Sequence, residues 1–255
     1  AGQPLEYGVR VWKTDGTDAG TKMINTAVGA PVTGPFPHYA SNNAVRAFGN
    51  KALIIAAPAS QNYDHELWIT DGTEAGTFRL KDINPGTGDP YIQNLTILTL
   101  NGNTVAFFSA NNGTSGQELW MTDGTQAGTV LVKDINPGGG ASGPFSFPVL
   151  NNIVYFFANN GTNGHEFWKT DGTTAGTVMV KDIMPGSGSS VSLYGSSNII
   201  IANDFSLYLS VYDNSYPTNA TKLYFSDGTE ANTVNMGGYQ YVKNFKKFGS
   251  RIYFT

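Results

Sequence analysis

One repeated string constrains the fold of this chain more than any other feature. Near-complete copies lie at residues 66–86, 118–138 and 166–186, with the shared pattern ELW-x-TDGT-x-AGT-(x)3-KDI-x-PG. Partial copies lie at residues 11–24 and 223–236. A catalytic motif normally occurs once per active site, so a string repeated in this way is expected to encode a structural unit.

The DGT aspartates recur at intervals typical of tandem supersecondary units. Their separations are 56, 52, 48 and 56 residues, for the positions Asp15, Asp71, Asp123, Asp171 and Asp227. The third unit predicts four strands, at residues 147–150, 153–157, 165–170 and 177–183. The DGTxAGT segment then joins the third strand to the fourth as a hairpin connector, because Asp accepts backbone N–H groups and Gly adopts positive φ.

The predicted strands are apolar at consecutive positions, which indicates sheets that are buried on both faces. Neighbouring strand residues point to opposite sides, yet residues 154–157 and 178–180 are all apolar. Short antiparallel sheets are covered on both faces when they stack around an axis, as in a β-propeller. We therefore expect Leu67 and Ile69 to contact one neighbouring sheet and Trp68 to contact the other.

The two ends of the sequence resemble complementary halves of one unit. Residues 9–24 resemble only the third and fourth strands, and residues 242–254 resemble only the first and second. Together they predict a composite blade that closes a ring. The predicted fold is all-β, a single five-bladed β-propeller of four-stranded antiparallel blades over residues 1–255. The blades are expected at approximately 38–83, 92–135, 145–183, 198–236, and 239–255 together with 1–26.

Composition argues against several classes of function. Charged residues make up 13% of the chain, about half of the ~25% usual in soluble proteins. The formal net charge is −4 and the sequence has no cluster of Lys and Arg, so nucleic acid is not an expected partner. The apolar runs, such as residues 199–202, are too short to cross a bilayer. The chain has no cysteine, which excludes disulfides and thiolate metal sites.

The repeat resembles the ELWxxDGT repeat family, whose members occur in tandem in secreted or surface proteins, largely bacterial. The resemblance is close at residues 66–86, 118–138 and 166–186 and partial at both ends. It implies the architecture and a secreted, extracellular or cell-surface location, but no particular activity, because the family is defined by its repeat. In the partial copies the Glu position holds Arg10 and Lys222, so a site built from the repeat's acids would number at most three.

A first candidate ligand site combines the Glu and the Trp of the repeat, which lie two residues apart on one strand face. A carboxylate beside an aromatic ring can hold a sugar, with the ring stacked on the pyranose. The alternative is that the Trp fills the interface between sheets while the Glu bonds a neighbouring strand. The candidate pairs are Glu66 with Trp68, Glu118 with Trp120, and Glu166 with Trp168.

A second candidate site lies in the loops that follow the fourth strands. Loops on a rigid scaffold commonly carry binding residues, and these are rich in Gly and Ser. Their acids and amides are Asp82, Asn84, Asp134, Asn136 and Asp182, and their aromatic residues are Tyr91, Phe145 and Tyr194. We predict that they line shallow pockets between adjacent blades. The alternative is that each Asp caps its own loop through backbone N–H groups.

The sequence favours no metal site. His65–Glu66 and His165–Glu166 are adjacent strand residues that point to opposite faces, so they cannot bind one ion together. No cofactor is expected. Calcium is left open only by two oxygen-rich stretches, Asn203–Asp204 and Asp213–Asn214, which lack the dense acidic spacing of a calcium loop.

The function expected from these features is non-catalytic carbohydrate binding, by a lectin-like propeller with repeated shallow sites. It is similar in plan, though not in motifs, to the tachylectin-type five-bladed lectins, and its expected partners are glycans or glycoconjugates. A second reading is a structural or adhesive module that binds other proteins. A third is a glycosidase-type enzyme, which needs carboxylates around a central channel, whereas the predicted inner strands carry none.

Overall fold

The computed structural model describes residues 9–25, 32–34, 45–58, 64–191, 201–202, 206–213 and 220–255. These residues form strands and turns without any helix, so the all-β prediction is confirmed for them. In the same part of the chain no helix is long and apolar enough to cross a membrane. Tyr194, Asn203–Asp204 and Asn214, which the sequence analysis singled out, lie outside the described residues.

The strands are numbered in chain order. The first eight are β1 (Val9–Arg10), β2 (Trp12–Lys13), β3 (Lys22–Met23), β4 (Val32–Gly34), β5 (Val45–Phe48), β6 (Lys51–Pro58), β7 (Glu66–Thr70) and β8 (Phe78–Lys81). The next eight are β9 (Gln93–Leu100), β10 (Asn103–Asn111), β11 (Gln117–Thr122), β12 (Val130–Lys133), β13 (Val149–Leu150), β14 (Ile153–Asn159), β15 (His165–Thr170) and β16 (Val178–Lys181). The last six are β17 (Ile201–Ala202), β18 (Leu207–Val211), β19 (Lys222–Ser226), β20 (Val234–Gln240), β21 (Lys246–Phe248) and β22 (Arg251–Tyr253).

Three of the repeat units fold into four-stranded antiparallel sheets, as the sequence predicts. Strands β9–β12, β13–β16 and β17–β20 each pair with their sequence neighbours. The unit before them has the same four strands, β5 to β8, and two more. Strand β4 pairs with the end of β6, and β1 pairs with β4, so this sheet has six strands. The sequence analysis did not predict β4.

Both faces of the inner strands are buried, which confirms the interpretation of residues 154–157, whereas Val178 at the start of an outer strand is 38% exposed. Leu67 and Ile69 pack in one cluster with Phe108 and Trp120 of the next sheet. Trp68, on the opposite face, packs with Ile24 beside β3. The same arrangement recurs between the second and third units and between the third and fourth. The indoles of Trp68, Trp120 and Trp168 therefore lie in interfaces between two sheets and are at most 7% exposed.

The DGT loops are hairpin connectors held by their own side chains. In the second unit, Asp123 Oδ1 accepts hydrogen bonds from Thr125 N and Oγ1 at 2.9 and 2.7 Å. Thr125 Oγ1 in turn accepts the Gly128 N–H at 2.9 Å. Gly124 has φ 85°, a conformation that glycine adopts without steric cost. The recurring string therefore encodes the outer hairpin of each unit.

Lysine side chains connect the second and third units to the DGT loop of the unit that follows each of them. Lys133 Nζ donates to Thr177 O at 2.7 Å and Lys181 Nζ donates to Glu230 O at 3.3 Å. Lys169, on the third strand of its unit, donates to Gly228 O at 3.1 Å. These contacts add directional bonds to the apolar interfaces.

The predicted composite blade is present as two separate halves. Strands β2 and β3 form one two-stranded sheet, and β21 and β22 form another. The first half lies against the first unit and the second half lies against the fourth. Trp12 remains 59% exposed and Phe254 36% exposed. The described residues thus form six sheets.

A Cβ at the AGT glycine is expected to weaken the DGT loop. An alanine at Gly128 would place its Cβ 2.0 Å from Asp123 Oδ1, so the carboxylate must leave the position in which it holds Thr125. We expect Gly128→Ala to lower the free energy of unfolding by about 1–2 kcal/mol, measured by urea denaturation. Gly128→Asn should cost less, because Asn232 occupies this position in the fourth unit and donates to Asp227.

The matched control is Gly139→Ala. A Cβ at Gly139 meets nothing within 4 Å. An equal loss of stability in both alanine variants would contradict this account of the loop.

Candidate functional site

The candidate site residues lie along one edge of the sheets. In an antiparallel sheet, the connection between the second and third strands lies at the same end as the exit from the fourth. We call this edge the loop rim; it comprises residues 82–92, 112–116, 134–145, 160–164 and 182–191. The DGT loops lie at the opposite edge. All predicted loop residues within the described chain therefore share one edge of the molecule.

The repeat's glutamate is buried beneath the loop rim and holds it in place. Glu118 is 0% exposed. Its Oε2 accepts the Ile135 N–H at 2.7 Å and the Ser142 hydroxyl at 2.6 Å, and its Oε1 accepts the Ser142 N–H at 3.0 Å. One carboxylate therefore satisfies three donors at both ends of the loop that leads to the next sheet.

Two further glutamates make related contacts. Glu166 accepts the Ile183 N–H at 2.7 Å and the Ser190 N–H at 3.1 Å. Glu66 accepts the Ile83 and Asn84 N–H groups at 2.9 and 3.1 Å, both through Oε1. Both side chains are 0% exposed. The predicted stacking site of Glu and Trp is therefore corrected: the carboxylates cap loops, the indoles fill interfaces, and neither is exposed to a ligand.

Burial changes the acidity of these glutamates. It raises the pKa of Glu66, Glu118 and Glu166 to about 7 in each case, while the hydrogen bonds that they accept act in the opposite direction. The neighbouring aspartates raise the pKa further, Asp134 for Glu118 and Asp182 for Glu166. These carboxyls therefore change charge near neutral pH.

The loop aspartates do not cap their own loops, since the glutamates accept those N–H groups. Asp82 Oδ2 instead accepts a bond from Arg79 at 3.2 Å. Asp182 Oδ2 accepts a bond from Asn163 at 2.7 Å. Asp134 Oδ1 and Asp182 Oδ1 are each buried without a hydrogen-bond partner. The alternative considered for the aspartates is thus corrected, and two buried acceptor atoms have no partner.

The two loop asparagines fix local geometry. Asn84 Nδ2 donates to Asp89 O at 3.4 Å, and Asn136 Nδ2 donates to Ala141 O at 3.2 Å. Each side chain also lies close to a glycine of the following unit, where a Cβ would fall 2.5 Å from Asn84 Oδ1 or 2.4 Å from Asn136 Oδ1. Both side chains are only partly exposed.

The two described aromatic residues of the loops differ in exposure. Tyr91 is 49% exposed and has φ 50°. Its N–H donates to Asp89 Oδ1 at 2.7 Å and its carbonyl accepts a bond from Gln117 of the next unit at 2.7 Å. Phe145 instead packs against Phe157, with ring centroids 5.7 Å apart, at the junction of the third and fourth units. Tyr91 is the exposed ring of this pair.

The residues considered for metal binding contact other groups of the protein. His65 Nδ1 lies 2.9 Å from Asp89 Oδ2, and His165 packs against Phe145. Asp213 Oδ2 accepts bonds from Tyr224 and Asn235, both at 2.9 Å, so a calcium site there would compete with two donors.

A group that the sequence analysis missed consists of Asp64, Glu66 and Asp82, whose ligand atoms lie within 4.8 Å of one another. The sequence contains a signal for this group, because Asp64 stands where the sister units have Gly116 and Gly164.

The opposite edge carries a groove of about 550 Å³ between the second and third units. Its wall includes Asp123 and the DGT residues Asp171, Gly172 and Thr173. The carboxylates of both aspartates are already engaged by their own threonines. This groove is therefore a product of the hairpin connectors.

Comparison with known proteins gives little further guidance. No family model matches the chain, and no curated protein matches its sequence. A similar solved structure is that of an exo-β-1,3-galactanase from Clostridium thermocellum, at 11% identity and a TM-score of 0.38. The match covers 97% of this chain and 56% of the galactanase chain, so this chain spans little more than half of that protein.

The raised pKa of Glu118 predicts a loss of stability as the pH rises. The unfolded chain releases this proton near the ordinary pKa of 4.5, whereas the folded protein holds it up to about 7. The stabilisation is therefore complete below about pH 4.5 and is lost as the pH passes through about 7. Each such glutamate contributes roughly 1–3 kcal/mol to the change.

Urea denaturation of the wild type and of Glu118→Gln at about pH 4 and about pH 8, on either side of the window between the two pKa values, measures this effect. The variant should lose less stability on going to the higher pH, because one titrating group is gone while all others are shared. Identical slopes in the two proteins would contradict the assignment.

Proposed function

We propose that this chain is a closed five-bladed propeller of the ELWxxDGT type that binds carbohydrate without catalysis on the loop rim. The proposal combines closure of the ring of blades with carbohydrate binding on the loop rim. Each rests on different contacts and is tested separately. A secreted or cell-surface location belongs to the same proposal and rests on the sequence resemblance alone.

Ring closure is supported by the equivalence between the terminal halves and the first unit. Strands β21 and β22 are joined by a two-residue turn with Phe248 opposite Arg251, as β5 and β6 are joined with Phe48 opposite Lys51. The hydroxyls of Thr14 and Thr21 pair at 2.8 Å, as do Thr70 and Thr77 at 2.7 Å.

The pairing of the terminal strands is specified if β22 and β2 adopt the register that β6 and β7 have in the first unit. In the first unit Leu53 lies opposite Ile69 and Ile54 lies opposite Trp68. The corresponding pairs are Tyr253 with Lys13 and Phe254 with Trp12. The second of these pairs would cover two exposed rings, in the way that Phe156 and Trp168 stack in the third unit.

The double variant Lys13→Cys, Tyr253→Cys tests the closure. Residues opposite each other in paired strands have Cβ atoms about 4.5–5.5 Å apart, within reach of a disulfide after small adjustment. The chain has no cysteine of its own. We expect rapid formation of an intrachain disulfide under mild oxidation, detected by mass spectrometry of the monomer.

The control is Lys13→Cys with Tyr241→Cys, since Tyr241 is also exposed but lies outside the proposed pairing. Equal crosslinking in both variants, or only interchain crosslinks, would contradict the closure.

Carbohydrate binding is carried by one observation, the position of Tyr91. Its backbone is fixed by Asp89 and by Gln117 of the neighbouring unit, while its ring is half exposed. A rigid aromatic ring with a polar tip can stack on a sugar face at low entropic cost. The aromatic ring of Tyr91 also lies where two units meet, as expected for a shallow site between blades.

The acceptor atoms of the loop rim suit the hydroxyl groups of a sugar. Asp134 and Asp182 lie on this rim, and both residues are partly exposed. A sugar hydroxyl that donates to a carboxylate forms a charge-assisted hydrogen bond. Several such weak sites on one rigid ring gain avidity on a glycan-coated surface. The glutamates are not part of this proposal because they are buried.

A glycan array probed with the labelled full chain tests the binding. We expect the wild type to bind a related set of glycans, and Tyr91→Ala to reduce that binding by about tenfold, which corresponds to ~1.4 kcal/mol. The matched control is Tyr241→Ala, because Tyr241 is exposed with φ 57° but its unit lacks the KDI segment. An array without signal at high protein concentration would contradict carbohydrate binding and leave the ring closure untouched.

A second candidate function is a protein-binding or adhesive module. The observation that favours it is the exposure of apolar side chains on and near β20–β22: Met236, Tyr239, Tyr241, Phe248 and Tyr253 are between 47% and 78% exposed. Exposed apolar patches commonly mark protein interaction sites. If ring closure covers Tyr253, the exposure of this residue no longer supports protein binding.

A further inference from the structure

Three carboxylates converge where the first unit meets its loop rim. The ligand atoms of Asp64, Glu66 and Asp82 all lie within 4.8 Å of one another. Asp64 is 1% exposed and Glu66 0% exposed, whereas the Asp82 side chain is 40% exposed. The cluster is thus closed on the protein side and open to solvent at Asp82.

Two oxygens of this cluster have no hydrogen-bond partner. Glu66 uses only Oε1 to accept the Ile83 and Asn84 N–H groups, and its Oε2 is buried and unpartnered. Asp64 Oδ1 is likewise buried and unpartnered. An unpaired charged oxygen in the interior costs several kcal/mol unless a proton, a cation or another donor meets it.

The sister units show which donor is missing. In the second unit the Ser142 hydroxyl and N–H both reach Glu118, and in the third the Ser190 N–H reaches Glu166. The corresponding residue of the first unit is Pro90, which has neither group. The first unit has therefore lost the donor that satisfies the second carboxylate oxygen in its sisters.

The first unit has also gained charge at two positions. Asp64 stands where the sisters have Gly116 and Gly164, whose surroundings leave no space for a side chain. Arg79 stands where the sisters have Leu131 and Met179. Its guanidinium lies 3.5 Å from Asp64 and 3.2 Å from Asp82 and carries one positive charge against three carboxylates.

We propose that Asp64, Glu66 and Asp82 form a binding site for a divalent cation of the calcium type. Calcium takes six to eight oxygen ligands, including carboxylates, and completes its shell with water. Asp64 Oδ1 and Glu66 Oε2 supply the two buried ligands, and Asp82 supplies the third at the solvent side. The ion takes the place of the serine donors of the sister units. This site does not depend on carbohydrate binding.

Isothermal titration of CaCl₂ into the full chain, stripped with EDTA and then dialysed, tests the site. We expect one ion per chain with a Kd of about 10⁻⁵–10⁻³ M, the range of moderate to weak calcium sites. Asp64→Asn and Asp82→Asn should each weaken binding by about tenfold or more. Asp82 is largely exposed, so that variant keeps the test valid if Asp64→Asn does not fold.

Two further variants separate a site from general electrostatics. Asp134→Asn removes the equivalent carboxylate in the second unit, which has no Asp64 counterpart, and should leave calcium affinity unchanged. Arg79→Leu installs the residue of that sister unit and should tighten binding several-fold, because the guanidinium no longer competes for Asp64 and Asp82. Circular dichroism of each variant checks the fold.

The proposal is overturned if the wild type shows no binding up to about 10 mM calcium, well above the weak end of the range. It is also overturned if Asp64→Asn and Asp82→Asn bind as the wild type does, or if Arg79→Leu binds more weakly. A thermal unfolding midpoint that rises with calcium in the wild type, but not in Asp82→Asn, supports it independently.

Discussion

The buried glutamate at the start of the outer hairpin in the three complete repeats is the interaction on which the loop rim depends. In the second unit, Glu118 joins the third strand to both ends of the loop that leads to the next sheet. Without that carboxylate, the buried Ile135 N–H would lack an acceptor, and Ser142 would keep only its bonds to Gln117 O. The loop could then adopt several conformations, and the position of the next sheet would be less well defined.

The fold was largely predictable because its determinants recur within the chain. Residues 154–157 are apolar on both faces and pack between neighbouring sheets, and Met179 and Val180 of the outer strand pack on opposite faces. The opposite directions of Leu67 and Trp68 followed from strand periodicity. Strand β4 was not predictable, since Val32–Gly34 lies in no copy of the repeat and its pairing with β6 depends on tertiary structure.

The candidate site was less predictable, for a physical reason. Recurrence identifies a position that matters, but it does not say whether a polar side chain faces solvent or the interior. The sequence leaves Glu118 either as a ligand or as a partner of another strand, and its hydrogen bonds lie within the protein. The informative signal lay in the differences between copies. Pro90 in place of a serine, together with Asp64 in place of a glycine, marks the unit in which one oxygen of the buried glutamate lacks an internal donor.

The lysine contacts between neighbouring units have a consequence for how such a chain can change over generations. Lys133 and Lys181 bind the next unit through backbone carbonyls, which every residue type provides. An interface of this kind tolerates sequence drift in the partner. Duplication or loss of a whole unit would regenerate the same contacts at the new junction, so unit number can vary by recombination while each junction stays intact.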